Sequence, residues 1–312
     1  MNILNKIKKY FFRIDNYDNN IINNLIDLKI IAAKKLIEIN SNKNSLSINE
    51  YEFKVFSQFG EDGIIDFLVK KTKIEKEEKN FIEIGVGDYT ECNSKFLLMN
   101  SYWSGIAIEG NKSFIKKIKT SEICWKYGLK IINLWIKKDN IEKIILENTK
   151  KNKIGLLSID IDGNDYWIWK EIKNIKPVIV VIEWNSLFGK LKKLTVPYDD
   201  NFIREEKHYS GQYWGASISA LKDIGKKNGY SLVGSNSAGN NLFFVRNDRM
   251  NNLLEKTTED VYTKKIFVDS RDKNKRLNFL SEKEQLKEIE NLNLVDLDTN
   301  QLIKISNIKL DM

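Results

Sequence analysis

The feature that most constrains this chain is an alternation that runs through residues 51–247. Short runs rich in Ile and Val (Phe81–Val86, Gly105–Ile108, Lys130–Trp135, Gly155–Ile161 and Val178–Trp184) are separated by amphipathic stretches such as Asn111–Lys119, Asp139–Asn148 and Asn164–Ile172. Most of these runs show little polar alternation, the pattern of strands buried on both faces of a parallel sheet. Strand–helix alternation of this kind predicts a doubly wound α/β sheet. The end of the region breaks the rule. A predicted helix, Ala216–Lys227, stops at Asn228-Gly229, and two apolar runs follow, Tyr230–Val233 and Leu242–Arg246, joined by a Ser/Asn/Gly loop. Two strands with no helix between them pair antiparallel, so an otherwise parallel sheet closes with a hairpin.

Composition narrows the class further. A chain of 312 residues with 42% apolar and 30% charged residues can bury one large core or two smaller ones. Two prolines and two cysteines exclude collagen-like, Pro-rich and disulfide-stapled scaffolds. Cys92 and Cys124 stand apart and His208 is the only histidine, which argues against a Cys/His zinc site. The thiols suit a reducing compartment. No apolar run approaches the ~20 residues of a membrane span, and the opening MNILNKIKKYFFRI lacks a continuous apolar h-region and a small-residue cleavage site. A cytoplasmic globular protein is the expectation. The net charge of +8 does not point to nucleic acid, because lysines are spread along the chain without an arginine cluster, a helix-turn-helix signature or an RNP-like string.

Two flanking regions differ in texture. Residues 1–50 read as a helical N-terminal extension. Leu4, Ile7, Phe11 and Ile14 share a face, the helical pattern continues from Ile21 to Ile39, and a polar linker follows at 41–45. Lys6, Lys8, Lys9 and Arg13 surround that first face. The arrangement fits a helix packed on its own domain or on a second copy of the chain, and equally one lying on an anionic membrane. Residues 248–312 are charged and read as a mostly helical C-terminal extension, with Ser281 and Glu284 as a capping box. Asp139 and Glu142 form a second predicted box.

Chemistry concentrates at the ends of the predicted strands. Glu83-Ile84-Gly85-Val86-Gly87-Asp88 closes the first core strand. Its glycines let the backbone turn tightly against a ligand, and Glu83 before them is placed to bind an amino group; the alternative is a tight turn with no ligand. A dinucleotide fingerprint would need a third glycine where Thr90 stands, which argues against NAD. Glu109, in Gly105-Ile106-Ala107-Ile108-Glu109-Gly110, closes the second strand where an acid can accept from both hydroxyls of a ribose.

Taken in order, EIGVGD, AIEG, LLSIDIDGND, VIVVIEWN and the terminal hairpin resemble the class I S-adenosylmethionine-dependent methyltransferases over about residues 55–247. The FkbM-like group, often found with polysaccharide and natural-product genes, is the most similar. FIEIGVGD stands where such enzymes carry D/E-x-G-x-G. SIDIDG, at 158–163, resembles the K-I-D-x-E-G segment, with Ser158 for the lysine and Asp162 for the glutamate. The resemblance implies a Rossmann-like sheet of seven strands, the last antiparallel, and S-adenosylmethionine held by Glu83, Gly85, Gly87, Glu109 and Asp160. It also implies methyl transfer to a hydroxyl of a small-molecule or glycan acceptor. Asp160, Asp162 and His208 are the candidates for orienting and deprotonating that acceptor.

Asp160 and Asp162 end the fourth strand, and Glu183 and Asn185 end the fifth. Asp160, Glu183 and Asn185 together could hold Mg²⁺, or Asp160 could serve cofactor or substrate while Glu183 holds a loop. Between Asn185 and Ala216 runs a connection far longer than the ~2–6 residues usual in α/β units. It carries Phe188, Tyr198, His208, Tyr209, Tyr213 and Trp214 and reads as a substrate lid whose aromatics either stack on a sugar or pin the loop. The segment 57–63 (SQFGEDG) either closes over the cofactor or caps a helix with Ser57 while Asp62 faces solvent.

Overall fold

The computed structural model describes residues 3–149 and 153–311, and the side chains of 21–149 and 153–311. The chain divides into two compact units, residues 1–44 and residues 45–312. The first is one helix, Ile3–Ser41. The side chains of Leu4, Ile7, Phe11 and Ile14, on which the amphipathic reading of the first turns rests, lie outside the described residues. Among the described residues no helix is long and apolar enough to cross a membrane.

The second unit is built on a seven-stranded sheet. In chain order its strands are β1 (Asn80–Ile84), β2 (Ser104–Glu109), β3 (Leu129–Asn133), β4 (Leu156–Ile159) and β5 (Ile179–Glu183). After the two-residue β6 (Leu194–Thr195), which lies in another sheet, come β7 (Tyr230–Ser235) and β8 (Asn241–Arg246). The spatial order is β3-β2-β1-β4-β5-β8-β7. The first five strands pair parallel, and β8 runs antiparallel to both β5 and β7. This is the Rossmann-like methyltransferase sheet that the motifs imply. The expected strands appear within a residue or two of their expected limits. The reason is visible in the core: Ile82, Ile84, Leu157, Ile159, Val180 and Ile182 face one helical layer, whereas Phe81, Leu156, Ile179 and Val181 face the other. Successive side chains alternate between faces, and both faces are apolar.

Helices flank the sheet as expected, with one change of capping. The helix Ile141–Asn148 starts beyond Asp139, and Glu142 does not reach back to it. Its carboxylate accepts from the backbone N–H groups of Lys173 and Asn174 instead, tying this helix to the loop before β5. The Ser281/Glu284 box does form, at the start of the helix Glu282–Ile289.

The C-terminal region is not mostly helical. Besides Thr258–Val261 and Glu282–Ile289 it holds β9 (Asn293–Asp296) and β10 (Gln301–Lys304), which build a three-stranded antiparallel sheet with β6. Leu187, Phe188, Leu194 and Trp214 from the long connection share a third apolar core with Ile289, Leu294, Ile305 and Ile308. The connection after β5 is therefore a packed layer rather than a loose lid. Its apolar residues are covered by the C-terminal strands, a long-range pairing that local periodicity does not show.

Candidate active site

Two adjoining cavities lie along the carboxyl ends of β1, β2 and β4, and both are lined by Gly85, Gly87, Phe114 and Asp160. The larger, about 510 Å³, is bounded by Glu109, Asn111, Trp135, Phe202 and Arg204 among others. The smaller, about 310 Å³, is bounded by Gln58, Glu83, Asn93 and Asn241. Clefts beyond the carboxyl edge of a doubly wound sheet are where this architecture holds its ligands.

The glycine turn shapes both cavities. Gly85 has φ +83°, and a Cβ there would lie 1.5 Å from the carbonyl oxygen of Asp160. Only glycine lets β1 and β4 close at this point. Gly87 has φ +54° and nothing within 4 Å of the place a Cβ would occupy, so its backbone borders open space. The N–H of Gly87 donates to Glu109 Oε2 at 2.9 Å, and Glu109 Oε1 accepts from the N–H of Asn111 at 2.7 Å. Glu109 thus fastens the turn while lining the larger cavity.

Glu83 is buried and already has donors on both oxygens. Oε1 accepts from the N–H of Asn93 at 2.7 Å, and Oε2 accepts from the N–H and the hydroxyl of Ser94. The carboxylate holds the start of the helix Lys95–Ser101 and forms part of the wall of the smaller cavity. Its expected task of receiving an amino group has a better candidate in the same cavity. Asn241, on β8, donates from Nδ2 to Glu61 Oε1 at 3.0 Å, while its buried Oδ1 has no donor. A buried acceptor without a partner is costly and points to a ligand group.

At the β4–β5 edge the acids converge. Carboxyl oxygens of Asp160 and Glu183 lie within 4.8 Å of each other, and Glu183 Oε2 is buried with no protein donor. Burial pushes both well above the ordinary carboxylate range. The negative charges of Asp162 and Asp165 push Asp160 further, those of Asp160, Asp162 and Asp165 push Glu183 further, and Arg204 opposes both shifts. Asp165, raised to about 6 by burial, accepts from the N–H groups of Ile161 and Gly163, each at 2.9 Å, and so fixes the β4 loop. Asp162 has φ +54° and pairs with Arg204 Nη1 at 2.7 Å.

Of the three residues expected to hold Mg²⁺, Asp160 and Glu183 come together and Asn185 does not. Asn185 is fully buried, with Oδ1 accepting from the N–H of Leu187 and Nδ2 donating to the carbonyls of Gln212 and Trp214. Its amide is committed to the connection. Asp165 stands nearer, with one oxygen each from Asp160, Asp165 and Glu183 within 4.8 Å of one another. Asp165 also accepts from two backbone amides, and the guanidinium of Arg204 opposes the shift at Glu183. The carboxyl groups of Asp160, Asp165 and Glu183, rather than the expected trio with Asn185, are the ones that could hold a cation.

His208 is not among the residues lining either cavity. Its Nδ1 lies 2.7 Å from Ser210 Oγ, its ring rests on Tyr209, and burial lowers its pKa. The expected aromatics pin the connection. Tyr198 donates to Asp200, Tyr209 to Glu288 and Tyr213 to the carbonyl of Asn293, and Phe188 and Trp214 are core residues. In the segment 57–63 Gln58 borders the smaller cavity, while Asp62 is buried rather than solvated. Its Oδ2 accepts from the N–H groups of Val55, Phe56 and Ser57. The helix begins at Glu61 after Gly60, and the Ser57 hydroxyl caps its first turn by accepting from the N–H of Asp62 at 3.1 Å.

Two participants carry no local signal in the sequence: Asn241 and Arg204. Arg204 donates from Nε to the carbonyl of Gly211 at 2.6 Å, pairs with Asp162 and Asp269, and stacks 4.7 Å from the centre of the Trp214 ring.

No family model matches the chain, and no curated protein does. Among solved structures it is similar to an S-adenosylmethionine-dependent methyltransferase from Clostridium acetobutylicum, at 10% identity over 58% of this chain and 90% of that one, with a TM-score of 0.37. It is also similar to an O-methyltransferase from Bacillus cereus in complex with SAH, at 10% identity over 69% and 90%, with a TM-score of 0.38. A SAM-dependent methyltransferase from Aquifex aeolicus has 10% identity over 68% and 96%, with a TM-score of 0.35. The strand order and the antiparallel β8 are those of the Rossmann-like methyltransferase fold.

Proposed function

We propose that this chain is an S-adenosylmethionine-dependent methyltransferase that methylates a hydroxyl of a sugar or glycoconjugate in the cytoplasm, in the assembly of a bacterial surface polysaccharide. The observation that carries the reading is the two-lobed cleft on the glycine turn, with Glu109 in one lobe and the unpartnered Asn241 Oδ1 in the other. An acid beside the turn suits the hydroxyls of a ribose, and a buried acceptor suits an ammonium group. One elongated ligand joining a nucleoside to an amino acid would occupy both lobes. The resemblance of SIDIDG to the K-I-D-x-E-G segment favours a glycan acceptor.

Bound S-adenosylmethionine supplies a methyl group on a sulfonium, a leaving group that needs no further activation. The protein's part is alignment and the handling of one proton. Asp160 lines both lobes with Glu183 beside it, and its carboxyl group is the one placed to take the acceptor's hydroxyl proton. Arg204 and Asp162 form the adjoining wall and orient the acceptor.

Calorimetry with S-adenosylmethionine and S-adenosylhomocysteine tests the binding step. Glu109→Ala is expected to weaken both by about tenfold or more, and no binding to the wild type would end the reading. Incubation with sugars and nucleotide-sugars tests the transfer. Accumulation of S-adenosylhomocysteine supports it, release of nucleotide would indicate a glycosyltransferase, and binding without product would indicate a cofactor-binding scaffold.

A further inference from the structure

The helix Ile3–Ser41 has 39 residues and is about 58 Å long. It is a compact unit by itself, and its described half is unusually apolar outside. Ile21, Leu25, Leu28 and Ile39 are 44–61% exposed. Their spacing is a seven-residue repeat, with Leu25, Ala32 and Ile39 at position a and Ile21, Leu28 and Lys35 at position d. Ile22 and Leu36 fall at e and Ile31 at g, so all the exposed large apolar residues of this half lie on the a/d seam or its borders. Counted back through the sequence, the same repeat runs through Ile14 at d and Asp18 at a.

We infer that this helix pairs with the same helix of a second copy as an antiparallel two-stranded coiled coil. The two charged exceptions in the seam set the direction. In a parallel in-register pair Lys35 would meet its own copy, and so would Asp18, placing like charges in two core layers. In the antiparallel pair a positions face d positions. Register positions 25 and 28 then oppose each other, 21 opposes 32, 14 opposes 39, and 18 opposes 35 twice over. Each exception meets an opposite charge, and every other layer is apolar. Within its own chain the Lys35 ammonium reaches Glu38 at 2.8 Å, a pair with both side chains more than 60% exposed and so weakly held. The inference is independent of the proposed activity.

Sedimentation equilibrium of the full chain tests it, with circular dichroism and a thermal melt of each variant confirming that the 45–312 unit remains folded. The wild type is expected to be a dimer. Leu25→Asp with Leu28→Asp is expected to raise the dissociation constant by roughly tenfold or more. Lys35→Asp alone should weaken the dimer, and Asp18→Lys combined with Lys35→Asp should restore it. Failure of the double exchange to restore would overturn the antiparallel register, because a parallel pair gains nothing from it. A monomeric wild type at tens of micromolar would overturn the proposal, as would a dimer indifferent to the leucine changes. Co-sedimentation of a monomer with phosphatidylglycerol vesicles, lost in the leucine variant, would assign the stripe to a membrane surface instead.

Discussion

Asp160 and Glu183 stand side by side at the carboxyl ends of β4 and β5, just beyond the point where Ile159 and Ile182 lie in register, with an oxygen of each within 4.8 Å of the other. Two acids on neighbouring parallel strands therefore face each other across a short gap, and Oε2 of Glu183 is buried with no donor. Like-charged neighbours that close cannot readily both ionise.

The first prediction follows from this crowding of acids. Burial, then the neighbouring acids, raise both groups above their unfolded values. The folded state therefore binds the proton more tightly, and the stability this contributes is present at low pH. It is lost as pH rises from the ordinary carboxylate range through the raised native values. Glu183→Gln removes one ionisation and is expected to flatten the loss. Urea melts from about pH 5 to about pH 8 should show the variant gaining on the wild type by about 1–3 kcal/mol as pH rises. A difference that does not change with pH would show that neither acid titrates in this range in the folded state.

Gly85 and Gly87 should respond differently to the same change. Gly85→Ala places a methyl group 1.5 Å from a backbone oxygen, which cannot move without separating β1 from β4. Loss of soluble, cooperatively melting protein is expected. Gly87→Ala meets open space and only the strain of a left-handed residue, about 1–2 kcal/mol. It should fold, with its methyl group intruding on the cleft and weakening S-adenosylmethionine in calorimetry.

Arg204 is a structural joint as much as a wall of the cleft. Its guanidinium links the β4 loop through Asp162, the connection through Gly211 and the C-terminal segment through Asp269. Arg204→Ala leaves these partners without their cation and should cost about 3 kcal/mol in urea melts. Arg204→Lys should recover less than half of that, since an ammonium cannot serve three directions with a planar fork. Full recovery by lysine would reduce the site to a simple charge requirement.

The two sequence candidates for the proton acceptor can be separated by turnover. Asp160→Asn should slow formation of S-adenosylhomocysteine by about 100-fold or more. His208→Ala should stay within about threefold of the wild type, because the ring packs on Tyr209 and bonds Ser210 outside the cavity walls. Equal losses in the two variants would return the histidine to the mechanism.

Much of the central fold is legible before any coordinates. Runs such as Ile179–Glu183 have no polar alternation because both faces are covered, and the Tyr230 to Arg246 stretch has no room for a crossover helix. The C-terminal region was harder to read. β9 and β10 are four residues each, too short to establish a period against the charged residues around them. The capping boxes divide in the same way. Ser281 and Glu284 answer each other locally, whereas Glu142 finds better donors at Lys173 and Asn174, a contact made only when two elements pack.

At the cleft, residue types and strand ends determine a great deal without tertiary information. The glycines of EIGVGD, the acid closing β2 and the two acids of SIDIDG must all reach the carboxyl edge once the strands run parallel. What each side chain does there was decided by the tertiary structure. Glu83 is taken up by Asn93 and Ser94, Asn185 by the connection and Asp62 by its own loop, while Asn241 arrives from a distant hairpin with one oxygen unanswered. A buried polar atom takes whatever donor packing brings within about 3 Å. That choice depends on neighbours far away in the chain, so the placement of the acids could be read from the sequence and their partners could not.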